Sequence, residues 1–147
     1  MEIAILGLGC FWGPEIKFSK LDWVIKTEVG YCGGSNSQTN YKEVCSGSTN
    51  HAEVVKLDFD PKIISYKEIL EFFYEIHDPT TLNSQGPDFG TQYRSEIFYL
   101  NDQQKKIAEN ITEDINIKLS KKVVTKISLV KNYCPAEEYH QKYLEKR

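Results

Sequence analysis

Cys10 is the residue of this chain whose setting most directly suggests chemistry. It follows the apolar run Ile3-Ala4-Ile5-Leu6 and the segment Gly7-Leu8-Gly9, and it precedes Phe11-Trp12-Gly13-Pro14-Glu15. A strand that ends in glycines, with Pro14 in the first turn of a following helix, places the thiol at a helix N-terminus. Backbone N–H groups and the helix dipole there stabilise a thiolate and draw its pKa below the free value of about 8.5. Such a thiol is a nucleophile. The alternative is a buried core thiol. Against it stand the flanking glycines, which allow close backbone approach, and two large aromatics that serve a turn poorly and a pocket wall well. Gly7-x-Gly9 also opens a dinucleotide fingerprint, but Gly13 comes one place late and Phe11 and Trp12 would crowd a pyrophosphate.

A second chemical signal is an acid out of place. In His51-Ala52-Glu53-Val54-Val55-Lys56-Leu57-Asp58-Phe59, strand periodicity sets Glu53 on the side of Val55, Leu57 and Phe59, with Lys56 and Asp58 opposite. Burial penalises a carboxylate, so the expected pKa is raised and the side chain stays protonated near neutrality, as a general acid requires. The competing reading puts Glu53 at the strand's edge, paired with a lysine. His51 shares that face, but nothing in the sequence brings it to Cys10, and His77 and His140 read as structural. Tyr41 and Tyr93 lie in segments rich in Gly, Asn and Ser and could offer O–H donors to a substrate oxygen.

These side chains must be positioned by a scaffold. Strand-like stretches at about 2–8, 24–31, 51–59, 95–100 and 122–130 alternate with helical patterns, which predicts an α/β (α+β) fold with a mixed β-sheet and packed helices. Ser65-x-x-Glu68 is a capping box, followed by Ile69, Leu70, Phe73 and Ile76 on one face and stopped by Asp78-Pro79. A second helix runs from about Asp102 to Leu119, with Ile107, Ala108, Ile111, Ile115 and Leu119 on one side. Both stripes read as core. Between His77 and Arg94 lies a long stretch without periodicity, whose Pro, Gly, aromatic and hydrogen-bonding residues suit an ordered active-site wall.

The 147 residues predict a single domain, and a net charge of −3 offers no basic field for nucleic acid or an anionic membrane. No run approaches a membrane span of roughly 18 apolar residues, and the N-terminal apolar stretch is too short for a signal peptide, so a cytoplasmic protein is expected. Cys10, Cys32, Cys45 and Cys134 form no C-x-x-C pair and no zinc-type cluster, so no metal is expected and a reducing compartment fits better.

Gly9-Cys10-Phe11-Trp12-Gly13, Glu28-Val29-Gly30-Tyr31-x-Gly33-Gly34, Tyr41-x-Glu43-Val44-Cys45-Ser46-Gly47, His51-Ala52-Glu53, His77-Asp78-Pro79-Thr80, Gly90-Thr91-Gln92-Tyr93-Arg94-Ser95 and Ala136-Glu137-x-Tyr139-His140-Gln141 form an ordered set. That set resembles the A-type peptide methionine sulfoxide reductases, from about Leu6 to Leu144. The resemblance implies a compact two-layer sandwich and thiol-dependent reduction of methionine-S-sulfoxide, free or in proteins, through a sulfenic acid at Cys10. Carried over by position, Glu53 would protonate the sulfoxide oxygen, Tyr41 and Tyr93 would hydrogen-bond it, Phe11 and Trp12 would hold the S-methyl group, and Asp88 would support the polar side. No metal or organic cofactor is implied. An external thiol, thioredoxin or glutathione with glutaredoxin, would be the reductant.

Many relatives carry resolving cysteines in a glycine-rich tail, whereas this sequence closes at Arg147, just after Tyr143-Leu144, so residues 1–147 read as one catalytic domain lacking that tail. Cys134, Cys32 and Cys45 are candidate resolving thiols, each subject to a Cα separation from Cys10 below about 7 Å. Two rival readings rest on the same residues. One is a thiol peroxidase, which has no obvious need of a methyl pocket or a buried acid. The other is a module that binds oxidised methionine without reducing it.

Overall fold

The structure is a computed structural model describing residues 1–146. Its strands are β1 (Glu2–Leu8), β2 (Val24–Cys32), β3 (Ala52–Phe59), β4 (Ser84–Gln85), β5 (Asp88–Phe89), β6 (Ser95–Tyr99), β7 (Lys126–Leu129) and β8 (Cys134–Pro135). The helices are α1 (Trp12–Ser19), α2 (Tyr41–Cys45), α3 (Tyr66–Glu75) and α4 (Asp102–Lys118). Six strands form one mixed sheet in the order β7-β6-β1-β3-β2-β8, and β4 and β5 form a separate two-stranded ribbon. All pairings in the large sheet are antiparallel except β6 with β7, which α4 separates in the chain. A parallel neighbour needs such a crossover.

The unbroken apolar character of β1 follows from its central place, because a strand buried on both faces cannot alternate. Ala4, Leu6 and Leu8 join Val55, Leu57 and Phe59 of β3 in the main core, with Phe18 of α1, Ile69, Leu70 and Phe73 of α3, and Ala108 and Ile111 of α4. Ile5, Cys32, Ala52, Val54 and Phe98 form a smaller cluster of their own, packed with Leu100, Val130 and Tyr133. The layout is the predicted sheet-and-helix sandwich. The capping box of α3 forms in full, with Ser65 accepting from the Glu68 N–H and Glu68 reaching back to the Ser65 N–H.

Three elements differ from expectation. The stretch at 122–130 is a strand only over Lys126–Leu129, because Ser120 and Lys121 take φ of 59° and 62° to end α4 and the chain needs several more residues to rejoin the sheet. The segment between His77 and Arg94 contains the β4–β5 ribbon and a 3-10 turn at Thr91–Tyr93. Helix α2 was not anticipated, although Asn40-x-x-Glu43 carries its signal: Asn40 accepts from the Glu43 N–H and donates to the Glu43 carboxylate, each at 2.9 Å.

Candidate active site

The site is built where β1 ends. Gly9 has φ of +100°, a conformation that disfavours any side chain, and a Cβ there would lie 2.8 Å from Cβ of Gln85. The backbone therefore turns sharply beneath the long loop and delivers Cys10 to its edge, half-buried. Phe11 is the N-cap of α1 and offers no side-chain cap. Its N–H instead donates to Glu53 Oε1 at 3.2 Å, which ties the acid to the residue next to the thiol.

Glu53 is 1% exposed and sits opposite Tyr31 in the β2–β3 register. Burial is the largest cause that pushes its pKa up to about 8; the Phe11 N–H works against that shift and the Asp88 charge adds to it. Near neutral pH the side chain is an acid. Because Oε1 accepts from Phe11 while Oε2 is buried with no partner, Oε2 is the oxygen placed to carry the proton.

The expectation of an acidified Cys10 is corrected. Burial raises its pKa to about 11, and the Trp12 N–H lowers it without prevailing, while charge on Glu53, Asp88 or Cys45 would raise it further. The physical reason is burial: the Trp12 N–H at the start of α1 stabilises the thiolate, but the loss of solvent around the half-buried sulfur outweighs it. Near neutral pH Cys10 rests as a thiol.

Tyr41 and Tyr93 arrive from α2 and the 3-10 turn, and both phenols lie within electrostatic reach of the Cys45 thiol at the end of α2. Burial is the main cause that pushes Tyr93 up to about 12, followed by charge on Glu53, Cys45, Asp88 and Cys10. Tyr41 is raised too, by burial and then by its contact with Cys45. Both phenols remain protonated donors over the working pH range. Asp88, on β5, lies within electrostatic reach of Cys10, Glu53 and Tyr93. The structure thus gathers Cys10, Glu53, Tyr41, Tyr93, Asp88 and Cys45 in one place.

The aromatic pair divides its roles. Phe11 is 1% exposed and packs against Tyr31 and His140 beneath Trp12, as part of the main core. Trp12 is half-buried and stacks on Tyr143 with centroids 3.9 Å apart and planes 13° apart. The segment that supplies Tyr143 is fastened by partly buried polar bonds. The Gln141 amide accepts from and donates to the backbone of Val29, each at 2.9 Å. Glu15 accepts from the Lys142 N–H at 2.7 Å, and Glu137 accepts from both Tyr31 Oη and the Tyr41 N–H. Sequence reasoning missed Glu137 and the contribution of His140, because their partners lie about a hundred residues away and leave no local pattern.

The other groups are engaged with partners of their own. Cys32 is buried in the smaller cluster, its thiol bonded to the Lys131 carbonyl at 3.4 Å. Cys134, on β8, has its thiol near the Thr39 and Pro135 carbonyls. His51 accepts the Gly34 N–H at Nδ1 and turns Nε2 to Asn36, so its ring is fully engaged. His77 bridges the Phe73 carbonyl and the Ser95 hydroxyl. Among the described residues no group of three or more His, Cys, Asp and Glu side chains is arranged to hold a metal.

With this geometry in view, comparison with known proteins is specific. The family model for peptide methionine sulfoxide reductase matches residues 2–147. A peptide methionine sulfoxide reductase MsrA of Pelagibacter ubique is 79% identical over 147 residues, covering all of both chains. One of Saccharolobus solfataricus is 49% identical and covers 99% of this chain and 82% of its own. Mxr1 of Saccharomyces cerevisiae in reduced form superposes with a TM-score of 0.95 at 44% identity, covering 99% of this chain and 85% of that one. The same yeast protein in complex with Trx2 gives 0.70 at 30% identity, covering 97% and 84%.

Proposed function

This chain belongs to the peptide methionine sulfoxide reductase family, and we propose on that footing that Cys10 is its nucleophile and Glu53 its proton donor. The enzyme is an oxidoreductase that reduces methionine-S-sulfoxide, free or in proteins, to methionine with electrons from thiols. Sulfoxide oxygen is a poor leaving group. As Cys10 sulfur attacks the sulfoxide sulfur, a proton must reach the oxygen while the S–O bond weakens. Glu53 holds that proton on Oε2, and Tyr41 and Tyr93 supply O–H donors where charge develops.

In net terms the Cys10 thiol and the sulfoxide become a Cys10 sulfenic acid and methionine, so oxygen passes from substrate to enzyme. Two external thiols then return the sulfenic acid to thiol and leave as a disulfide, with release of water. A thioredoxin-type protein is the favoured reductant, supported by the yeast relative in complex with Trx2; glutathione with glutaredoxin is the alternative. Turnover consumes thiols, which suits a reducing compartment such as the cytoplasm.

The observation that carries this reading is the buried, protonated Glu53, bonded through the Phe11 N–H to the residue after Cys10. A single turnover without reductant tests it. The expected products are one equivalent of methionine per chain and a dimedone adduct at Cys10; no methionine from a folded protein would overturn the reading. A disulfide from Cys10 to Cys45 would move resolution inside the chain. Cys45 is an exposed thiol within electrostatic reach of Cys10.

A further inference from the structure

The sheet ladder around β1 runs out before it reaches two of the groups it must hold. Pairing of β1 with β3 ends at Leu6 and Val55, and pairing of β1 with β6 ends at Leu8 and Ser95. Glu53 and Tyr93 both lie beyond those last pairs, on opposite sides of β1. Gly7 lies between the two sides: a Cβ there would be 3.4 Å from the carbonyl oxygens of both Glu53 and Arg94. The Arg94 side chain spans this open end and is buried. Its Nη1 donates to the Thr91 carbonyl at 2.8 Å, within the turn that carries Tyr93, and its Nη2 donates to the Asn50 carbonyl at 3.0 Å, at the lead into β3. Nε donates to Glu96 Oε1 at 2.6 Å, and Glu96 Oε2 accepts from Ser128 of β7 at 2.5 Å.

A buried ion pair such as Arg94 with Glu96 is a poor source of stability, because desolvation offsets most of its Coulomb attraction. Nor does Arg94 tune the acid: burial, the Phe11 N–H and the Asp88 charge account for the shift of Glu53. What the planar guanidinium supplies is geometry, since it holds three acceptors at fixed angles, which a lysine ammonium cannot copy. We infer that Arg94 is a positioning residue which locks the turn carrying Tyr93 to the strand carrying Glu53, so that phenol and acid meet the same substrate oxygen. This rests on the proposed roles of Glu53 and Tyr93. Without the guanidinium the turn keeps its own backbone bonds, from the Tyr93 N–H to Gly90 and from the Arg94 N–H to Thr91, but loses its tie to the Asn50 carbonyl.

The test is a double-mutant cycle on single-turnover methionine formation, with Arg94→Lys, Tyr93→Phe and the two combined. Arg94→Lys keeps a charge opposite Glu96 and loses the fork. It should lower the maximal rate by roughly 10–10²-fold, the scale of a misplacement of up to an ångström. The half-saturating sulfoxide concentration should change little, because Phe11 and Trp12 are untouched. In the Tyr93→Phe background the same substitution should cost less than about twofold, which is no effect within the usual scatter of such cycles. An equal loss in both backgrounds overturns the inference, since Arg94 would then act independently of Tyr93. So does an unchanged rate in folded Arg94→Lys.

Two further measurements guard against a variant that fails to fold. Arg94→Met combined with Glu96→Gln removes both charges together, leaves no unpaired charge in the interior and enters the same cycle with the same expected result. For the unmutated site, Arg94 and Arg147 are the two arginines of the sequence, so an Arg147→Lys background leaves a single guanidinium signal by NMR. Its Nε–H should exchange slowly with deuterium; rapid exchange would contradict the strut. No methionine from folded wild type would count against the proposed function, while the exchange experiment still judges the strut.

Discussion

Glu53 and Cys10 share a proton problem, since attack needs a thiolate beside an acid that is still protonated. With Glu53 at about 8 and Cys10 at about 11, the pair loses its first proton near pH 8 and its second far above. In the proposed reaction the reactive arrangement holds one proton, placed on Glu53. Single-turnover kcat/KM is therefore expected to climb with pH to about 8 and then level. Glu53→Gln should lower the rate by roughly 10²–10⁴-fold, the typical worth of general acid catalysis. It should also remove the break near pH 8, leaving a rate that keeps rising as Cys10 ionises. Stopped-flow measurement of methionine release across pH checks both. The acid was legible in the sequence because strand parity alone puts Glu53 among Val55, Leu57 and Phe59. The thiol's pKa was not, because motif spacing shows a helix terminus but not how deeply tertiary packing buries the sulfur.

Elements deliver these groups by local rules of uneven visibility. The central strands and α3 could be read directly, through apolar runs in one case and the Ser65–Glu68 box in the other. Ser65→Ala should cost about 1 kcal/mol, lowering Tm by about 2–4 °C for a chain of this size, with kcat/KM unchanged because α3 carries no site residue; calorimetry beside an activity assay checks it. Helix α2 is different, since Tyr41 begins it and Cys45 ends it. Asn40→Ala removes its cap and should reduce activity more than stability, seen as a larger fall in kcat/KM than in denaturation midpoint. The 3-10 turn at Glu138–His140 and the residues around it were illegible as a working part. Their binding uses side-chain-to-backbone bonds such as Gln141 to Val29, which depend on the fold being complete.

The whole molecule carries the cost of its site as a pH-dependent stability. Glu53 has a folded pKa near 8 against an ordinary 4.5, so the native state keeps a proton that the unfolded chain releases, and stability falls as pH rises between those values. His77 acts at the other end. Burial draws it down from 6.5 to about 4, so stability also falls as pH drops through that window and the unfolded chain takes up the proton. Urea unfolding at pH 6 and pH 8.5 should show wild type losing stability where Glu53→Gln loses less. The central claim, that this fold exists to present a thiol and a neutral acid to a sulfoxide, is tested most directly by an epimer-resolved assay. Methionine yield is measured from separate S and R sulfoxides with excess dithiothreitol, for wild type and Cys10→Ser. Turnover of the S epimer alone, abolished in the variant, is the predicted result. Turnover that survives Cys10→Ser, or none from either epimer with folded wild type, would contradict it.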